Sequence, residues 1–216
     1  MESRRRGTTL LSKTLSVLKQ KPTVLISASG IGYYGNGGEN TLTETSPKGT
    51  GFLSDVADVW ESTTTIAKDN GIRVVNLRFG IILSQNGGVI QKLYWPFYLG
   101  GGGPIGSGQQ WMSWVSLDDA LRAIEYSISK STLSGPVNVC SPNPVRNTEF
   151  VQTLGSALHR PAIIPMPEAA VKLVFGEMGD ETLLISQKGM PSKLMENGFR
   201  FQHSTIQEGI QAALSH

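Results

Sequence analysis

Hydrophobic and polar positions in this chain switch repeatedly between a strand period and a helix period. Thr23-Val-Leu-Ile-Ser-Ala-Ser-Gly-Ile-Gly-Tyr-Tyr-Gly35 opens with a short apolar run, Val24 to Ile26, and breaks into small residues and glycines. That is the look of a buried parallel strand ending in a ligand crevice. A polar loop over 36–51 follows, and then Val56, Val59, Trp60 and Thr63 predict the apolar face of a helix from Leu53 to Asp69, stopped by Asn70-Gly71. Ile72 to Phe79 reads as the next strand, with Ile81 to Leu83 as its extension or a separate strand. Helices are expected over Gly88 to Leu99, carrying Leu93, Trp95, Phe97 and Tyr98, and over Ser116 to Ser129, with Leu117, Ala120, Leu121, Ile124 and Ile128 apolar. Pro136 to Cys140 is a short strand. Strand, helix and strand at this spacing predict a parallel sheet with right-handed crossovers.

The last third changes character. A helix from Asn147 or Thr148 to Leu158 and an extended stretch over 161–165 precede short apolar-striped helices at Ala169 to Phe175, Thr182 to Gln187, Pro191 to Glu196 and Thr205 to Leu214. The expectation is an α/β sheet domain over residues 1–145 with a small C-terminal helical domain over residues 146–216. The first twenty residues have two readings. They are rich in Arg, Ser and Thr and free of acid after Glu2, as in an organellar transit peptide. They also form one helix pattern, with Leu11, Leu15 and Leu18 on a face and Leu10 beside them, and the short Lys21-Pro22 connection to the strand favours the helix.

Composition narrows the function. The 216 residues carry a net charge of +2 with basic residues spread along the chain, so no nucleic-acid footprint stands out. A single cysteine, Cys140, excludes an internal disulfide, and three scattered histidines offer no metal cluster. No apolar run has the length of a membrane span. Asp119, three residues after Ser116, reads as half of a helix capping box. Cys140 reads as a small buried hydrophobe, and His159 and His203 as structural or exposed.

Candidate chemistry collects at strand ends. Ser27, Ser29, Tyr33 and Tyr34 are delivered to the exit of the first strand, where open α/β sheets bind ligands, although a plain strand and two core-covering tyrosines fit as well. Glycines over 100–108, including Gly106, match neither nucleotide fingerprint. The amides and aromatics that follow, Gln109, Gln110, Trp111 and Trp114, suit a nucleobase or sugar; a flexible surface loop is the alternative. Arg78, near the end of its strand, is placed to pair an anionic ligand group, or else to bridge to a helix.

Four segments together, SASGIGYYG (27–35), VVNLRFGIIL (74–83), GGPIGSGQQWMSWVSLDDAL (102–121) and NVCSPNPVRNTEFVQTLG (138–155), resemble the atypical extended short-chain dehydrogenase/reductases called epimerase-family proteins. The resemblance covers nearly the whole chain. It includes LISQKGMPSKLMENGFRF (184–201), similar to that family's closing helical domain. Plant relatives called Giant Chloroplast or SulA-like are part of it. The resemblance implies a Rossmann-like parallel sheet that is N-terminally truncated, since family members begin with a strand and a G-x-x-G-x-x-G turn that this chain lacks. It implies Ser29 and Tyr34 as the catalytic pair, with Ser27, Ala28, Ser29 and Arg78 toward NADP or NAD when the missing half is present. Tyr33, Gly106, Gln109, Trp111 and Trp114 would face the substrate.

The family's Tyr-x-x-x-Lys pair falls on Leu53 and Ala57, which carry no exchangeable proton. A tyrosine at the edge without a lysine is expected near about 10, a weak base at neutral pH. The implied function is an NAD(P)-dependent oxidoreductase or epimerase acting on a nucleotide-sugar-like or small carbonyl substrate. The alternatives are a non-catalytic relative that binds a nucleotide or a protein partner, in plastid division for example, and a truncated gene product. Expected partners are a small-molecule substrate and a second copy in a homodimer, with neither nucleic acid nor a metal. The compartment stays open between cytoplasm and plastid.

Overall fold

The computed structural model describes residues 2–167, 169, 171 and 182–215. Helix α1 (Glu2–Ser16) leads into strand β1 (Val24–Gly30), which ends in a 3-10 helix (Ile31–Tyr34). Strand β2 (Thr41–Leu42), helices α2 (Phe52–Ser62) and α3 (Thr65–Asp69), strands β3 (Arg73–Phe79) and β4 (Ile81–Leu83), and helix α4 (Gly88–Tyr98) follow. Next come strands β5 (Trp111–Met112) and β6 (Trp114–Ser116), helix α5 (Leu117–Ser129), strands β7 (Gly135–Val139) and β8 (Val145–Arg146), and helix α6 (Asn147–Ala157). Strand β9 (Lys188–Gly189) and helices α7 (Ser192–Glu196) and α8 (Ile206–Ser215) complete the described elements.

The central sheet is parallel, in the order β1-β3-β7, with β1 at an edge. Its two faces differ in chemistry. Val75, Leu77, Val137 and Val139 are buried against Ala120 and Ala123 of α5 and Leu194 of α7. On the other face Leu25 and Val74 meet Ala67 and Ile72, and toward the strand ends that face turns polar. A second core joins residues from both halves of the chain: Leu83, Phe97 and Trp114 pack with Phe150, Leu154, Ile206 and Ile210. Gly209 makes this fit possible, since a Cβ there would stand 2.3 Å from the Trp114 ring.

Several local expectations need correction. The N-terminal segment is helical, yet Leu10, Leu11 and Leu18 are exposed, and Ser12 is its buried residue. The helix expected over 53–69 breaks at Thr63 and Thr64. The Thr63, Thr64 and Thr65 hydroxyls each donate to a carbonyl three residues back, at 2.7, 2.6 and 2.6 Å, which competes with regular helix bonding. The stripe α2 buries is Ser54 and Ala57, continued by Thr64 beyond its end, rather than Val56, Val59 and Trp60, because this helix covers the polar end of the sheet. Residues 184–187 are irregular instead of helical, with bends at 184 and 185, and lead into β9, which pairs in parallel with β2. The helix expected over 169–175 lies mostly outside the described residues. The capping box is present, with the Asp119 amide donating to Ser116 Oγ at 3.1 Å.

Candidate functional site

Register brings the site residues together before any side chain is considered. Ser29, Arg78 and Asn138 are neighbours across β1, β3 and β7, as are Ser27, Asn76 and Pro136. Side chains paired this way share a face, so a polar patch forms at the carboxyl end of the sheet under α2. Arg78 is its centre and is 3% exposed. Its Nε and Nη2 donate to Glu61 Oε1 and Oε2 of α2, both at 2.7 Å, and its Nη1 donates to the Tyr34 hydroxyl at 2.9 Å. The guanidinium carbon stands 3.5 Å from the Tyr33 ring centroid. Ser29 Oγ donates to Glu61 Oε1 at 2.8 Å, and the Tyr34 hydroxyl donates to Asn138 Oδ1 at 2.8 Å.

Electrostatics follow from burial. Burial pushes the Tyr34 phenol up to about 12, partly countered by the charge and hydrogen bond of Arg78. Burial works against the Arg78 cation, but the Glu61 carboxylate and Tyr34 more than offset it and hold the guanidinium firmly protonated. Together these groups make a buried network in which the Ser29 and Tyr34 hydroxyls and all three Arg78 nitrogens each donate to an acceptor inside the protein.

That network corrects several assignments. Arg78 bridges to a helix, in line with its alternative reading, with one N–H on each of its three nitrogens directed to Glu61 or Tyr34. Tyr34 is 3% exposed and sits well above the value near 10 expected of it, so it is a poor proton carrier at neutral pH. Ser29 spends its proton on Glu61. Ser27 is nearly buried, its hydroxyl 3.5 Å from the Ala28 carbonyl oxygen, and Ala28 alone among the expected cofactor residues is exposed. Trp114 is fully buried, with its indole N–H on the Asn143 carbonyl, and belongs to the core. Trp111 is held at the surface by Glu39, Arg146 and Lys188. Gln109 is exposed, and Gly106 forms a turn at φ 58°. Tyr33 is half-buried beneath Arg78.

The glycine loop is packed. Gly106 N donates to the Met166 carbonyl at 2.9 Å and Ile105 N to Asn147 Oδ1 at 2.8 Å, and a Cβ on Gly103 would overlap Ile164. With its amides used internally it offers no phosphate cradle. Of the expected cofactor-side residues only Ala28, on the edge strand β1, faces outward, and nothing in the glycine loop is arranged to hold a pyrophosphate. Among the described residues no group of three His, Cys, Asp or Glu can hold a metal, and no helix is long and apolar enough to cross a membrane.

Leu53, expected at the family's tyrosine position, lies beside the strand exit: its Cβ is 3.3 Å from where a Cβ on Gly32 would stand. With Gly35, Asn36, Ser54 and Ile185 it lines a cleft of about 80 Å³. Sequence reasoning missed Glu61 and Asn138. The signal for Glu61 is its spacing, four residues after buried Ala57 and seven after buried Ser54, which places an acid on the packed side of α2.

Comparison with known proteins agrees with this picture. Residues 166–213 match a domain of unknown function, DUF1731. The chain is 45% identical over 186 residues to the epimerase family protein Mb2239 of Mycobacterium bovis, a match covering 86% of this chain and 62% of that protein. It therefore spans less than two thirds of that relative's length. It is 37% identical over 218 residues to the epimerase family protein YfhF of Bacillus subtilis, covering 100% of this chain and 71% of the relative. The crystal structure of human epimerase family protein SDR39U1 (isoform 2) with NADPH superposes with a TM-score of 0.93 at 31% identity, over 100% of this chain and 73% of that one. At 37% identity over 71% of the relative's length, and with the fold shared at a TM-score of 0.93, the chain belongs to the epimerase family.

Proposed function

We propose that this chain is the substrate-side portion of an NAD(P)-dependent oxidoreductase or epimerase of small carbonyl or nucleotide-sugar-like compounds. The observation that carries the reading is the open edge of β1. This outermost parallel strand exposes Ala28 near its carboxyl end, and ligands in α/β folds lie in the crevice beyond the carboxyl ends of the strands. Likeness to an NADPH-bound relative supports a nicotinamide cofactor, which would supply hydride chemistry when bound. In this reading Ala28 and the β1 backbone meet the nicotinamide end, while the Ser29–Glu61–Arg78–Tyr34–Asn138 network keeps that wall rigid. The pyrophosphate would be held by a strand and glycine turn of a longer form, which the 216 residues do not contain.

Calorimetric titration tests this. The chain by itself should bind NADPH or NADH weakly or not at all, and a form extended by a G-x-x-G-x-x-G unit should bind; micromolar binding by the chain alone would defeat the proposal. A second reading, a non-catalytic relative that binds a nucleotide or a protein, is favoured by Leu53 and Ala57 at the proton-transfer positions and by the high value of Tyr34. An extended form that binds cofactor but oxidises none of it with any carbonyl in a broad panel would favour this second reading.

A further inference from the structure

Outside the strand-exit network, one cluster is built like a receptor. Trp111 on β5 faces Arg146 on β8 in an antiparallel pair, and the Arg146 guanidinium stands 4.0 Å from the indole centroid. The Lys188 ammonium, on β9, stands 4.6 Å from the same centroid and makes no hydrogen bond or ion pair among the described residues. Into this group reaches one carboxylate. Glu39 accepts from Arg146 at 2.9 and 2.7 Å and from the indole N–H at 3.0 Å. Arg146 also donates to the Gln109 carbonyl.

We propose that Arg146, Lys188 and the Trp111 indole N–H form a binding site for an oxyanion, a phosphate or carboxylate group of a small-molecule ligand, and that Glu39 is its internal occupant, displaced by side-chain rotation. The two sides of the contact are built differently. The receptor sits on paired strands, with Arg146 30% exposed; the Glu39 side chain is 72% exposed. An acid that open to water is weakly held. The loop carrying Glu39 is fixed without its carboxylate: Gly37 N donates to the Ser186 carbonyl at 2.8 Å, and Ser186 Oγ donates to the Gly38 carbonyl at 2.6 Å. The side chain can therefore leave while the receptor stays assembled. Planar guanidinium plus an N–H donor suits a two-oxygen anion of either kind. The hydrogen bonds from Arg146 and Trp111, with the charges of Arg146 and Lys188, hold the Glu39 carboxyl down at about 2, in keeping with a cluster that favours negative charge. Gln187 Nε2 donates to the Ile31 and Gly35 carbonyls at 3.2 and 3.1 Å, which puts the cluster next to the exit of β1, where the rest of a ligand would lie.

The test needs no nicotinamide cofactor, so its failure is separate from failure of the proposed function. Pyrophosphate and succinate are titrated into the wild-type chain, Glu39→Gln and Glu39→Ala, following tryptophan fluorescence and heat, with Trp111→Phe as the fluorescence control. Removing an internal competitor should tighten binding of at least one probe by about tenfold or more, and Arg146→Gln added to Glu39→Gln should abolish it. Tighter pyrophosphate assigns a phosphate, and tighter succinate a carboxylate; either supports the site. No gain for either probe in either Glu39 variant, or a gain that survives Arg146→Gln, overturns it.

Discussion

Replacing Glu61 by Gln is the sharpest perturbation of the strand-exit network. Glu61 Oε1 accepts from both Ser29 and Arg78, and Oε2 accepts from Arg78. The amide keeps the shape but turns an N–H₂ toward the guanidinium or toward Ser29, and removes the negative charge. Side-chain exposure is 3% for Arg78 and 11% for Glu61, so water cannot replace what is lost. Breaking a buried pair by removing one partner typically costs about 3–5 kcal/mol, because the remaining charge is buried without compensation. For a chain of this size that corresponds to a melting point lower by roughly 6–20 °C. Urea unfolding followed by far-ultraviolet circular dichroism measures it. The double variant Glu61→Leu with Arg78→Met removes both charges and should recover roughly half of the loss or more. If Glu61→Gln lies within about 1 kcal/mol of wild type, the pair behaves like an exposed one and the buried-network reasoning fails.

Gly209→Ala should destabilise by about 1–3 kcal/mol through overpacking, since the new methyl group would press on the fully buried Trp114 ring; denaturant unfolding with an unchanged midpoint would contradict the packing described. Tyr34 carries a pH prediction. Its phenol is pushed up to about 12 in the folded chain from an ordinary 10.0, so the stability it contributes is complete below pH 10 and is lost as pH rises from about 10 to about 12. Tyr34→Phe should flatten that part of the stability curve relative to wild type, and equal slopes for the two proteins would show that the phenol titrates as if it were exposed.

How far the sequence reaches can be argued from two pairs of residues. In Val74-Val-Asn-Leu-Arg-Phe79 the strand is plain, and so is the period that sets Asn76 and Arg78 on one face and Val75, Leu77 and Phe79 on the other. The direction and address of Arg78 follow from sequence. Its partner does not, because choosing between an anionic ligand and a helix requires knowing which face of α2 is buried. The apolar positions Val56, Val59 and Trp60 point to the wrong face, since a helix lying on polar strand ends buries Ser54 and Ala57 and turns Glu61 inward. Trp111 and Trp114 make the same point. They sit three residues apart in one motif with similar neighbours, and local pattern treats them alike. Yet Trp114 is fixed in the core by Asn143 and Gly209, and Trp111 is fixed at the surface by Glu39, Arg146 and Lys188. All five partners lie at least 29 residues away in sequence from the tryptophan they hold. Local periodicity specifies which backbone forms strand or helix; the side chains that decide whether a group faces ligand, core or water are contributed by tertiary contacts that no window of that length contains.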